Sequence, residues 1–147
     1  MNAWWRMNAW SHLPNAPLID WVLESLRTDP KNWDAAFDAT WNDASPAAWN
    51  AAWNAAFDAT LNADLDAAWN AARNAAWNAT RDAGWDAARD AARDVILALV
   101  AYDDCDHYLQ MSHEQLLAWA TLSEKPQAFL LLPLKWIQEH ETLVTSA

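Results

Sequence analysis

Glycine occurs once in the 147 residues, at Gly84, and cysteine once, at Cys105. A lone glycine leaves no material for a phosphate-cradling loop or a Gly-x-Ser-x-Gly elbow. With only six prolines beside it, it also falls short of the turns an all-β chain needs every eight to twelve residues or about that. A single thiol excludes an intrachain disulfide framework and a Cys-x-x-Cys pair, and it fits a reducing compartment. Cations are scarce: nine Lys and Arg stand against twenty Asp and Glu, a formal charge of −11. Such a balance repels phosphate backbones, so direct nucleic-acid binding is not expected. The longest apolar runs, at 95–102 and 128–132, are well short of the ~20 residues of a membrane span, and no charged-then-apolar secretion pattern opens the chain. The expectation is one soluble, cytoplasmic domain, large enough to hide roughly two thirds of its unfolded surface.

What the chain does have is tryptophan, 13 of it, and a four-residue repeat. Three zones follow one another: 1–32, the repeat at 33–94, and 95–147 with ordinary composition. In the first zone Asn15 and Pro17 predict a helix start, Leu18, Trp21, Val22 and Leu26 share a face, and Pro30 marks a stop, giving a helix over 17–28. Trp4, Trp5 and Trp10 either dock on the body, seal a partner surface or fray.

Within the repeat each unit reads large, Asx, Ala, small. The large position runs Trp33, Phe37, Trp41, Ser45, Trp49, Trp53, Phe57, Leu61, Leu65, Trp69, Arg73, Trp77, Arg81, Trp85, Arg89, Arg93. On an α-helix the four positions lie at about 0°, 100°, 200° and 300°. One broad apolar arc results, with Asx opposite its midpoint. Four residues overshoot a turn by about 40°, so on one straight helix the apolar face circles the axis within roughly nine units. The chain therefore has to break into helices of about three or four units, with corners expected at 42–46, 62–66 and near Gly84 and with Asx residues as caps. A right-handed supercoil and a four-sided strand solenoid are the competing arrangements. The predicted fold is all-α: a compact helical bundle or short solenoid of Ala-rich helices, with a core filled by Trp.

In the third zone VILALVAY, at 95–102, is apolar all round and predicts a buried central helix continuing from the repeat. Ser112 and Gln115 fit a capping box for a helix to about Leu122. A last helix starts near Pro126, with a kink at Pro133 and a frayed tail after Glu141.

Candidate chemistry concentrates at Tyr102, Asp103, Asp104, Cys105, Asp106, His107 and Tyr108, with His113 and Glu114 nearby. If the helix runs on, Asp103 and His107 stand four apart on one face, a spacing that holds a divalent metal. The alternatives are a helix end with solvated carboxylates, a partner contact or a proton-transfer site. Cys105 and His107, two apart, point to different sides, and the surrounding carboxylates raise rather than lower a thiol's pKa. His12 and His140 read as isolated surface residues. Asp82, Asp86, Asp90 and Asp94 form a ladder of like charge, relieved by i,i+3 pairs of Arg89 with Asp86 and Arg93 with Asp90. Evenly spaced carboxylates suggest imitation of a phosphate backbone, although about half of the whole Asx series is neutral Asn. The Trp series is read as core rather than as a stacking platform for ligands.

The units DAAWNAARNAAWNATRDAGWDAARDAARD, running into VILALVAYDDCDHYL and an LLLP helix, resemble uncharacterised Ala-rich repeat proteins of bacteriophages and bacteria, some of them labelled immunity proteins of toxin systems. PLIDWVLESLRTDPKNWD resembles a helical opening of phage hypothetical proteins. The resemblance implies a phage or mobile-element setting and supplies no catalytic residues. From the residues themselves, the leading expectation is a non-enzymatic interaction protein without cofactor or resident metal. It would bind a basic protein partner through Asp82, Asp86, Asp90 and the Tyr102, Asp103, Asp104, Asp106, His107 and Tyr108 cluster. A self-assembling or virion-associated homo-oligomer, and a metal-dependent enzyme centred on Asp103 and His107, are the alternatives.

Overall fold

The apolar run at 95–100 forms the second half of the helix around which the molecule is arranged. In the computed structural model, which describes residues 9–81, 83–123 and 125–146, this helix is α5 (Asp86–Ala101). Before it come α1 (Ala16–Thr28), α2 (Pro30–Thr40), α3 (Pro46–Asn62) and α4 (Asp66–Ala79); after it come α6 (Cys105–Leu109), α7 (His113–Ser123), α8 (Pro126–Leu130) and α9 (Leu132–Ser146). Short 3-10 turns at Trp41–Asp43 and Ala83–Trp85 lie in two of the corners. The described residues contain no strand, and the fold is an all-α bundle. Helix α5 packs against α1, α2, α3, α4, α8 and α9. Residues 95–100 are buried on every side, as an all-apolar helix requires.

The repeat breaks where its angular drift demands. All three expected corners are present, between α2 and α3, α3 and α4, and α4 and α5. The fourth position of the unit faces inward: Ala36, Thr40, Ala52, Ala56, Thr60, Ala68, Ala72, Ala76, Thr80, Ala88 and Ala92 are all buried. The Asx position, opposite, is exposed or half-exposed throughout its described length. Tryptophan fills part of the core and rims the rest. Trp33 and Trp69 are fully buried, but Trp49, Trp53 and Trp85 lie at the margin of the core and Trp41 and Trp77 are exposed. Alanine at the centre lets helix backbones approach, and the indoles seal the edges.

The corners carry a second period that the four-residue reading misses. Thr40, Thr60 and Thr80 recur every 20 residues, and each hydroxyl donates to the carbonyl four residues back, Ala36, Ala56 and Ala76, at 2.8, 3.0 and 2.9 Å. The buried hydroxyl is thereby satisfied within its own helix, at the last turn before the chain leaves it. Among the described residues, no Asx side chain caps a helix at these corners. Leu65 and Trp85 occupy the N-cap positions of α4 and α5 without a side-chain bond, and among the described corner residues only Ser45, whose hydroxyl accepts from Ala48 N–H at 3.1 Å, caps a helix through its side chain.

At the end of α3 the N–H groups of Ala63 and Leu65 donate to Ala59 and Thr60 carbonyls at 3.1 and 2.9 Å, and Asp64 takes φ 60°. This left-handed position favours glycine, and a carboxylate there also opposes the negative end of the helix. Asp64→Gly is expected to raise stability by about 0.5–1 kcal/mol, read as a higher denaturant midpoint; Asp64→Val should lower it.

Elsewhere the sequence pattern and the structure agree closely, with small displacements. Helix α1 begins at Ala16 and buries Ile19, Val22 and Leu26, leaving Leu18 and Trp21 half-buried at the flanks of the expected face. The capping box is formed: Ser112 N–H donates to Gln115 Oε1 at 3.0 Å and Gln115 N–H to Ser112 Oγ at 3.1 Å. Pro133 lies in the first turn of a new helix, α9, instead of kinking one, and α9 continues past Glu141 to Ser146. Trp10 is buried, with its indole N–H donating to Asp20 at 2.9 Å; Trp4 and Trp5 lie outside the described residues.

Candidate functional site

The cluster at 102–108 is not one helical face. Helix α5 stops at Ala101, Tyr102 is extended (φ −129°, ψ 143°), and α6 begins only at Cys105. Asp103 is therefore outside any helix, and the four-residue spacing to His107 carries no common face, which removes the geometric basis for a metal pair. Among the described residues no group of three His, Cys, Asp or Glu is placed to hold a metal ion. The break is stabilised from a distance. Asn15, expected to cap α1, makes no side-chain cap there; its amide donates instead to the carbonyls of Leu99 and Tyr102, at 3.1 and 2.7 Å. Two end carbonyls of the central helix are satisfied this way.

The members of the cluster also divide by depth. Asp103, Asp104, Asp106 and His107 are exposed, and Asp104 accepts from Gln127 Nε2 at 3.1 and 3.2 Å. Tyr108 is part of the core, which corrects its place among partner-binding residues, and Tyr102 is half-buried. Cys105 is buried and donates to the Ala98 carbonyl at 3.4 Å. Burial, then the carboxylates of Asp104, Asp103 and Asp106, push its thiol far above the ordinary value. Such a thiol is inert.

Of the carboxylate ladder, Asp82 lies outside the described residues. The two expected arginine pairs are present: Arg89 with Asp86 at 3.2 Å and Arg93 with Asp90 at 3.8 Å. Arg89 does more than relieve charge. Its guanidinium lies 3.9 Å from the centre of the Trp77 ring and donates to the hydroxyl of Thr80 at 3.0 Å and to the carbonyl of Thr80. It ties the end of α4 to the start of α5.

The most distinctive geometry is at a place the sequence reading did not single out. A cleft of about 530 Å³ opens between α2, α3 and α5, walled by Phe37, Trp41, Trp49 and Trp53 and by Asp90, Arg93 and Asp94. Phe37 and Trp41 stack at 5.0 Å, Trp53 and Phe57 at 5.1 Å, and the Trp49 indole donates to the Trp41 carbonyl at 3.0 Å. Trp53 Nε1, Arg93 Nε and Asp94 Oδ1 are buried without a hydrogen-bond partner; Gln127 Oε1 is the fourth such atom among the described residues. Arg93 approaches Asp94 only to 3.7 Å, an ion pair without a hydrogen bond. Burial pushes the Asp94 carboxyl up to about 7; the Arg93 charge works against this and the Asp90 charge adds to it.

One sequence signal did point here. Asp94 is the last rung of the carboxylate ladder and directly precedes the apolar run, so the turn that carries it passes from surface to interior. Aromatic walls beside an under-paired acid are a lining in which a ligand can be held. Set against known proteins, the chain matches no protein-family model, no curated protein and no solved structure.

Proposed function

We propose that this is a non-enzymatic binding protein whose acidic, Asx-lined surface captures a basic protein partner, in a phage or mobile-element setting within the cytoplasm. The observation that carries the reading is an asymmetry between its charges. Four of the cations are held by intramolecular partners, Arg27 by Glu24, Arg89 by Thr80 and Asp86, Arg93 by Asp90 and Asp94, and Lys135 by the Leu109 carbonyl at 2.8 Å, while Lys31, Arg73, Arg81 and Lys125 are exposed. Many carboxylates face solvent, among them Asp38, Asp58, Asp66, Asp86, Asp103, Asp104 and Asp106. A surface field of one sign steers an oppositely charged partner and speeds its capture. No helix among the described residues is long and apolar enough to cross a membrane; the Cys105 thiol is buried, and Asp103 and His107 share no helical face.

Affinity capture from the native host at low and high salt tests the reading. A basic protein should be recovered at low salt and released at high salt, because exposed charges are screened beyond a Debye length of about 10 Å at 0.1 M. The double variant Asp58→Lys with Asp66→Lys should fail to retain it. Recovery of no basic protein at either salt sinks the reading.

A further inference from the structure

Three of the side chains that line the aromatic cleft between α2, α3 and α5, those of Trp53, Arg93 and Asp94, each carry a buried polar atom without a hydrogen-bond partner. Leaving such groups unpaired is costly, and their chemistry describes what would satisfy them. Trp53 Nε1–H and Arg93 Nε–H call for acceptors, and Asp94 calls for a donor or a cation. The charged groups lining the cleft, Asp90, Arg93 and Asp94, all come from α5; α2, α3 and α9 bring only neutral side chains, including Thr40, Asn50, Asn54 and Pro133. Two carboxylates against one guanidinium leave the cleft one cation short of neutrality.

The repeat itself shows which cation such walls hold. At the α4–α5 corner the Arg89 guanidinium lies over Trp77, bonded to Thr80 and paired with Asp86. Two 20-residue periods upstream, Phe37 stands in register with Trp77 and Thr40 with Thr80, but Trp49 stands where Arg89 would be. The first corner thus keeps the aromatic and threonine wall and lacks a guanidinium of its own.

We propose that this cleft receives a single arginine side chain of a basic partner, with Asp90 and Asp94 as counter-charges and the indoles as its bed. This rests on the reading of the protein as a binder of basic partners. Guanidinium is favoured over ammonium because its plane stacks on indole and pairs with carboxylates at once. The cation binds the ionised form of Asp94, so the affinity strengthens as pH rises through the range in which that carboxyl loses its proton.

The test uses the 15N-labelled full chain and N-acetyl-arginine N′-methylamide as probe, followed through the Trp53 indole N–H signal, which is identified by its loss in Trp53→Phe. At pH 8 the signal should shift and saturate. Asp94→Asn, which keeps the fold, should weaken binding at least about tenfold, as should lowering the pH to 5.5 or thereabouts. The lysine analogue should bind more weakly, and the uncharged norleucine analogue should not compete. An unmoved Trp53 signal would mean that the cleft holds ordered water only, and norleucine binding as well as arginine would mean an apolar pocket; either result overturns the inference. Charge reversal at Asp58 and Asp66, which do not line the cleft, separates the two ideas. If partner capture persists while the probe fails, the cleft inference falls alone. If the probe binds while no basic partner is captured, the cleft stands as a guanidinium site and the broader reading falls.

Discussion

At pH 8 the Asp94→Asn protein is expected to be more stable than its parent by roughly 1–3 kcal/mol, and at pH 4 the two should be nearly equal. The sign follows from where the proton sits. The folded-state value is raised to about 7 from an ordinary value of 3.8, so between these limits the folded chain holds a proton on Asp94 that the unfolded chain has already lost. Stability contributed at this site therefore falls as pH rises from about 4 to about 7, then levels off. Asparagine is neutral throughout and escapes that loss. Part of the gain is given back because an amide oxygen at the position of Oδ1 still has no donor. Urea unfolding of both proteins at pH 4, 6 and 8 measures the difference directly, and other carboxylates cancel in the comparison. Equal midpoints at pH 8 would show that Asp94 is ionised and well solvated in the folded protein.

Trp33→Ala should cost about 3–5 kcal/mol, enough to unfold a large share of the molecules in a domain of ordinary stability. Trp33 is fully buried on α2, and its indole N–H donates at 2.9 Å to Ser25 of α1, whose own hydroxyl donates to Val22 at 3.0 Å. Truncation removes a large apolar surface, leaves a cavity and strands an acceptor. The same change at Trp119, which is exposed on α7, should fall within about 1 kcal/mol. Chemical denaturation of the two variants in parallel decides the point; equal losses would refute the assignment of Trp33 to the core and Trp119 to the rim.

The elements set by local chemistry were legible from residues alone. Drift of the four-residue unit, Pro46 and the Ser112–Gln115 box place corners and caps within a few neighbours of one another, and the run at 95–100 announces the buried helix by itself. Contacts that join distant parts of the chain were not legible. Asn15 looks like the cap of its own helix because capping is a local habit, yet its amide is drawn to Leu99 and Tyr102. That contact ends α5 and dissolves the apparent Asp103–His107 pair. The cleft joins Trp53 to Arg93 and Asp94, and no periodicity on either helix specifies that they meet. The division of the core between tryptophan and alanine was not legible either. Close approach of helices is limited by the smallest side chains, and these occupy the inward position, so the large residues of the unit are shared between core and rim.

The position of α5 in the chain has a consequence for biosynthesis. Helices α1 to α4 leave the ribosome before α5 exists; α1 packs on α2 and α4, but the alanine faces of α2, α3 and α4 are covered mainly by α5, α8 and α9. Productive collapse therefore waits for residues 86–101 and is completed by α8 and α9. Domains generally fold as units during synthesis, and here the unit begins to close only after more than half of the protein has been made.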